Sequence, residues 1–412
     1  MAVKAVTRKQ WTFMVYLAGD NNLDANGLKD LAEMKTVGSS DDINLLAQFD
    51  RAGADRKTKR YFLHKGTPLA KDAVLQLGET NTGSPDALVD FIRWSVKNYP
   101  AERYALVLWN HGGGWDDTDV YADERLRAIH RPARGHIRHT FFLSNFQTAL
   151  KQAAGGAKPR AILYDDDAKD FLDNIEMKKV LAAAQKAAGH KIDILGMDAC
   201  LMSMAEVACQ VRSSVRYTVG SEQTEPLDGW PYHTVLACLA KKPDMETEKF
   251  SSVIVGKYIA SYPSSEPVTQ SAFDLSKSAM LMKAVKELAD GLCAELDKEA
   301  VQLAVMQARM QVQSYEVPDN IDLVDFCKLL MKKPAAAGAL STACQGIINA
   351  VCGPEGIIVK SGCKGASVNN SHGAAIYFPV DTPSPLYAKL DFSRKTGWGK
   401  FVKSYAKISR QR

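Results

Sequence analysis

The sequence predicts an α/β sandwich built on a mainly parallel central sheet. Three features carry that prediction. Apolar runs of strand length are bounded by turn residues, amphipathic helical stretches alternate with them, and a histidine and a cysteine each stand just past the end of a run. Alternation on this scale implies parallel strands covered on both faces. In such sheets, sites gather beyond the carboxyl ends of the strands.

Taken in order, WTFMVYLAG (11–19) is a strand-length run that stops at Gly-Asp, and Leu23 to Val37 follows with helical spacing. INLLAQFD (43–50) is the second strand, SPDALVDFIRWSVKNY (84–99) a helix, and YALVLWN (104–110) the third strand. NIEMKKVLAAAQKAA (174–188) is a helix opened by Asp173 and Glu176, which stand at capping-box spacing. IDILGMDA (192–199) and VRYTVGSE (215–222) read as strands, with a helix expected over LMSMAEVACQVRS (201–213) between them. Past residue 276 the pattern turns helix-rich (AMLMKAVKELADGLCAEL, then IDLVDFCKLLMKK) and ends on a strand-like GAAIYFP, 373–379. This divides the chain into a domain over 1–275 and a helix-rich extension over 276–412.

The 412 residues are 46% apolar and 24% charged, as in soluble globular proteins. A net charge of +5 is too mild to imply nucleic acid. Eight cysteines without CxxC spacing point to neither zinc nor a disulfide framework. No run approaches the roughly 18 apolar residues of a membrane span. The first residues lack a signal-peptide pattern, so the expected compartment is the cytoplasm.

The chemistry concentrates in LVLWNHGGGWDD (106–117), where a buried run ends in His111 and three glycines. Backbone without Cβ atoms lets another group approach closely. Cys200, at the expected start of a helix, would have its thiolate favoured by the helix dipole. Thiol, imidazole and glycine amides together make a set for acyl transfer. The plainer reading of a buried cysteine is a small core hydrophobe, as Cys209 is taken to be. Asp198, at the end of a run that should be buried, needs a partner.

WTFMVYLAGDNNLD, YALVLWNHGGGW, ILGMDACLMSMAEVA and YTVGSEQTEPLDGWPY resemble, in order, the blocks of the clostripain family of cysteine peptidases. The likeness continues through SAFDLSK (271–277), NIDLVDF (320–326) and HGAAIYFP (372–379). The resemblance implies a caspase-like α/β/α sandwich with a mainly parallel sheet and a helix-rich C-terminal extension. It assigns Cys200 as nucleophile, His111 as general acid/base, and the N–H groups of Gly112 and Cys200 as the oxyanion hole. Asp198 and Asp228 become the acids of a pocket for Arg or Lys, two carboxylates suiting a planar guanidinium. Ser221, Glu222 and Thr224 would supply backbone for an extended peptide.

His111 and Cys200 are 89 residues apart (200 − 111), with a long loop at about 116–163. Within it RLRAIHRPARGHIRH (125–139) holds five arginines, three histidines and no acid. Enzymes of the clostripain type are zymogens cut between the two blocks, so Arg125, Arg127, Arg131, Arg134 and Arg138 are the expected activation sites. The loop read alone is a solvated basic segment, or a contact for nucleic acid or an acidic partner. Clostripain itself is calcium-dependent, which directs attention to Asp116, Asp117, Asp165 and Asp166 as oxygen ligands. Those acids read alone simply neutralise the arginines, and the chemistry itself needs no cofactor.

The resulting expectation is a latent cytoplasmic endopeptidase cutting protein or peptide substrates after Arg, less well after Lys. It is activated by itself or by an upstream protease, as a caspase-like effector in a signalled or defence response. Membrane and nucleic-acid partners are not expected. The rival is a non-catalytic caspase-fold scaffold that binds basic tails, against which the presence of both His111 and Cys200 counts.

Overall fold

The computed structural model describes residues 8–53, 57–117 and 162–409. The five arginines proposed as cleavage sites lie outside the described residues. The chain forms two compact units, Met1–Gly189 with Tyr232–Asp244, and His190–Pro231 with Met245–Arg412.

In the first unit, strands β1 (Lys9–Gly19), β2 (Ile43–Arg51), β3 (Lys59–Phe62), β4 (Ala73–Gln76) and β5 (Ala101–Trp109) lie in the order β5-β1-β2-β3-β4. β1 runs parallel to both β2 and β5, while β3 and β4 add antiparallel strands. Every residue of β1 from Trp11 onward is buried, which is why its apolar run does not alternate. Helices Asp24–Val37 and Pro85–Asn98 link the parallel strands, and Tyr232–Lys241 packs on the first of them. A short antiparallel pair follows, β6 (Ile162–Asp165) and β7 (Asp170–Leu172). Helix Asn174–Ala188 starts with the expected capping box, Asp173 accepting from the Glu176 N–H at 2.6 Å and Glu176 from the Asp173 N–H at 3.1 Å.

In the second unit, β8 (Ile192–Asp198) runs parallel to β9 (Val215–Gly220). β10 (Val268–Asp274) joins β9 antiparallel, β11 (Asn320–Asp322) starts a separate small pair, and β12 (Ile358–Lys364) continues beside β10. The expected last strand is β13 (Ala375–Tyr377), paired with β11 and not with the larger sheet. Helices Ala205–Val211, Thr247–Ser261, Ser278–Glu295, Glu299–Gln311, Leu323–Met331, Ala339–Cys352, Asp391–Thr396 and Trp398–Ser409 make up the rest. Phe378 packs on Trp398–Ser409 in an aromatic cluster, 5.8 Å from Trp398, 5.2 Å from Phe401 and 5.0 Å from Tyr405, ring centre to ring centre. Among the described residues no helix is long and apolar enough to cross a membrane.

One expectation fails in an informative way. The helix expected over 201–213 begins only at Ala205 and ends at Val211. Long-range pairing captures the residues before it. The Leu201 N–H donates to the Gln223 carbonyl at 3.2 Å and the Ser203 N–H to the Ser221 carbonyl at 2.8 Å, while Met204 bridges Ala375. Leu201 takes φ +64° to make this turn. Cys200 therefore stands in a tertiary turn and not at a helix N-terminus.

Candidate active site

In the first unit, His111 follows β5 and is held from two sides. Asn110, buried beneath it, donates from Nδ2 to the carbonyls of Ala18 and of Tyr164 (3.0 Å for the latter), and its Oδ1 accepts the N–H groups of His111 and Tyr164. Asn21 repeats the stitch, donating to the same two carbonyls at 2.9 Å. The ends of β1, β5 and β6 are thus tied together under the imidazole. Asn22 Oδ1 lies 2.7 Å from His111 Nε2. An oxygen there places the ring proton on Nε2 and leaves Nδ1 as the basic nitrogen. Asn22 belongs to the GDNN end of the first run, where nothing in the residue pattern singles it out.

Burial holds the His111 imidazole down at about 4, so it is neutral at physiological pH. Of the three glycines after it, Gly114 alone takes a positive φ, +74°. Gly112 forms a bridge with Ile162 in β6.

In the second unit, Cys200 is half-buried, and its Sγ accepts the Glu225 N–H at 3.3 Å. Burial raises the thiol to about 11, the Asp198 charge adding to the shift and the Glu225 N–H opposing it. The helix-dipole argument for a preformed thiolate does not apply, because the helix starts five residues later.

Asp198, at the end of β8, is 5% exposed. The carboxyl beside it belongs to Glu225, near enough for the two acids to perturb each other. Gln270 Nε2 holds Glu225 Oε1 at 3.2 Å, while Glu225 Oε2 and the nearby Tyr258 hydroxyl are buried with no hydrogen-bond partner among the described residues. Burial, reinforced by the Asp198 charge, pushes Glu225 well above the usual carboxyl range. The Trp230 N–H reaches Asp198 Oδ2 at 3.4 Å, and a Cβ on Gly229 (φ +56°) would stand 3.2 Å from Oδ1. Tyr262 fixes that glycine by donating to its carbonyl at 2.7 Å. Asp228, the second acid implied by the resemblance, is exposed.

The segment after β9 is tightly held. The Glu222 and Gln223 N–H groups donate to Thr269 Oγ1 at 2.9 and 3.0 Å, and the Thr224 N–H donates to Gln223 Oε1 at 2.9 Å. Ser221 is fully buried with its hydroxyl 2.9 Å from that of Thr269, and the Glu222 carboxyl turns inward to accept the Tyr315 hydroxyl at 2.7 Å. A peptide adding a strand here would have to displace some of these bonds.

Of the four acids named for calcium, Asp117 is engaged by the Asn174 backbone and side chain at 2.9 and 2.6 Å, and burial raises it to about 7. Asp165 groups with Asp20 and Asp50 and not with Asp116, Asp117 or Asp166.

Clostripain from Hathewaya histolytica is 28% identical over 224 residues, which are 49% of this chain. The match spans 36% of that relative's length. A secreted cysteine protease from Bacteroides thetaiotaomicron, solved with an irreversible peptide inhibitor, superimposes with a TM-score of 0.64 at 19% identity, covering 95% of this chain and 99% of its own. An inactive protease zymogen from Parabacteroides distasonis gives 0.63 at 20%, covering the same shares. These two establish a shared fold, the caspase-like α/β arrangement. The model of the clostripain family matches residues 15–129 and 140–405, which include His111, Asp198, Cys200 and Glu225, so the chain belongs to the clostripain family of cysteine peptidases.

Proposed function

We propose that this protein is a cysteine endopeptidase that cuts after Arg, and less well after Lys, with Asp198 and Glu225 as the floor of its specificity pocket. The observation that carries the reading is the buried carboxyl pair beside Cys200. Two carboxyls in one buried site share a proton when the site is empty. A guanidinium offers five donors in a plane and satisfies both acids once that proton leaves. A lysine ammonium is a point charge that cannot bridge them as well.

In the reaction, Cys200 Sγ attacks the scissile carbonyl carbon while its proton passes to the neutral His111 imidazole. The imidazolium then protonates the leaving amine as the carbon–nitrogen bond breaks. Water hydrolyses the thioester, which returns the thiol. A thiol at about 11 and an imidazole at about 4 make the resting pair neutral, so the thiolate forms only as substrate binds.

We further propose that the chain is made latent and is activated by a cut after one of Arg125, Arg127, Arg131, Arg134 or Arg138, by itself or by an upstream protease. The support is the match of pocket chemistry to those arginines and the zymogen state of the Parabacteroides distasonis relative. A protease controlled in this way suits a caspase-like effector.

Purified protein incubated beside Cys200→Ala tests both parts. Wild type alone should hydrolyse a fluorogenic peptide ending in Arg. N-terminal sequencing should place any cut after one of the five arginines. Equal hydrolysis by both proteins, or none on Arg peptides after the chain has been cut, would overturn the peptidase reading. Full activity from an uncut chain with all five arginines changed to Ala would overturn the latency.

A further inference from the structure

Glu222 is built into the backbone that holds the nucleophile, while its carboxyl points inward to a network the reaction does not touch. On one side of it the Ser221 carbonyl accepts the Ser203 N–H at 2.8 Å, and on the other the Gln223 carbonyl accepts the Leu201 N–H at 3.2 Å. Two residues beyond Gln223 the Glu225 N–H reaches Cys200 Sγ at 3.3 Å. The turn that presents Cys200 therefore hangs on segment 221–225 from both sides of Glu222.

The buried Glu222 carboxyl meets the Tyr315 hydroxyl at 2.7 Å, and that hydroxyl also lies 3.5 Å from Asp322 Oδ2 and 3.1 Å from Ser371 Oγ. A phenol has one proton to donate, so it cannot satisfy two carboxylates at once. Asp322, wholly buried at the end of β11, is the better supplied. Its Oδ1 accepts the Asp325 N–H and its Oδ2 the His372 N–H, both at 2.6 Å. His372 Nε2 stands 2.6 Å from Lys328 Nζ, an ammonium that can only donate. The ring proton is thereby fixed on Nδ1, 2.9 Å from Asp322 Oδ1. Lys328, acting through a neutral His372, thus compensates an ionised Asp322. Among the described residues Glu222 has no salt bridge of its own, and a second buried anion beside Asp322 is costly. Burial and the Asp322 charge accordingly hold Glu222 well above the usual carboxyl range, the Tyr315 hydroxyl opposing them. The other titratable groups around the pair are Asp325 on the helix of Lys328, Cys352 at the end of Ala339–Cys352 and Cys363 in β12. Burial raises all three, as it raises the Tyr315 phenol.

We propose that Glu222 is a positioning residue for Cys200, its protonated carboxyl pinned between Tyr315 and Asp322 so that segment 221–225 stays in place, and its ionisation releasing that segment. The effect on turnover rests on the peptidase reading, whereas the release of the segment does not. Tyr315 reinforces the clamp from its own chain, because the Glu316 N–H donates to Gln223 Oε1 at 2.9 Å. The sign follows from the raised carboxyl. Its neutral form contributes stability that is complete below the usual carboxyl range and is lost as pH rises through the raised value. Cys200 then loses the hold of the Gln223 carbonyl on Leu201 and of the Glu225 N–H on its own sulfur.

The test follows the full chain from pH 6 to 10 by amide hydrogen exchange, corrected for the intrinsic pH dependence of exchange, and by turnover of an Arg peptide. Protection in fragments covering 200–204 and 221–225 should fall with rising pH, approaching about tenfold per unit as one proton is lost. Glu222→Gln, which has no proton to lose, should keep its protection constant over that range. Glu222→Ala should lower kcat by about ten- to a hundredfold, as a displaced catalytic group does, and Glu222→Gln should recover most of that loss. Should Glu222→Ala fail to fold, the exchange comparison of wild type with Glu222→Gln decides alone. Constant protection in the wild type, or an equal fall in Glu222→Gln, overturns the proposal, as does a folded Glu222→Ala with wild-type kcat. The expected exchange pattern in a chain inactive on Arg peptides would uphold the clamp and overturn the peptidase reading.

Discussion

Cys200→Ala is expected to lower kcat on an Arg peptide by roughly a millionfold, and His111→Ala to come close to the same loss, since the members of a catalytic set fail as a unit. Both variants should keep the wild-type thermal midpoint. The pair also predicts an unusual labelling profile. With the thiol raised to about 11, only about one molecule in a thousand carries a thiolate at pH 8. Alkylation of Cys200 by iodoacetamide should therefore climb about tenfold per pH unit from pH 7 to 10. The exposed Cys352 is also raised to about 11. The rate must consequently be read on the Cys200 peptide by mass spectrometry. A plateau below pH 8 would mean a preformed thiolate and a different resting state. Retention of near wild-type turnover by either variant would remove that residue from the reaction.

What the sequence made legible follows from how far each signal reaches along the chain. β1, β2 and β8 are apolar runs buried almost throughout, and β5 and β9 end in buried apolar stretches, so composition alone marks them. β3 reads KRYF and β4 AVLQ, each four residues long at the sheet edge, too short and too polar to stand out. The residues Cys200 to Met204 have a helical pattern, yet bonds to Gln223, Ser221 and Ala375 decide their shape. Tertiary pairing overrides local propensity there. His111 and Cys200 were legible because each sits at the end of a strand run. Glu225 was not, because its pairing with Asp198 joins residues 27 apart (225 − 198) and nothing in TEPLDGWPY ranks the glutamate above the aspartate.

The choice between Glu225 and Asp228 is the most consequential open to measurement. Asp198→Asn and Glu225→Gln are each expected to lower kcat/KM for an Arg peptide by about 30-fold to several thousandfold. Breaking a buried charge-assisted pair costs about 2–5 kcal/mol, much of it from leaving the partner charge unpaired. Labelling of Cys200 by a small alkylating agent should change far less, because that reagent makes no use of the pocket. Asp228→Asn should cost under about 1 kcal/mol, as exposed ion pairs do. The pH dependence adds a second discriminator. In the empty pocket Glu225 holds a proton, its carboxyl raised by burial and by Asp198. A guanidinium must expel that proton to bind both acids, so binding is penalised while pH lies below the raised value and improves as pH climbs toward it. KM for Arg peptides should accordingly fall with rising pH in the wild type. In Glu225→Gln, which has no proton to lose, it should be flat. A large loss in Asp228→Asn with an unaltered KM profile in Glu225→Gln would return the pocket to the pair that the family resemblance implies. It would leave Glu225 as a buried spacer that holds Cys200 through its backbone N–H.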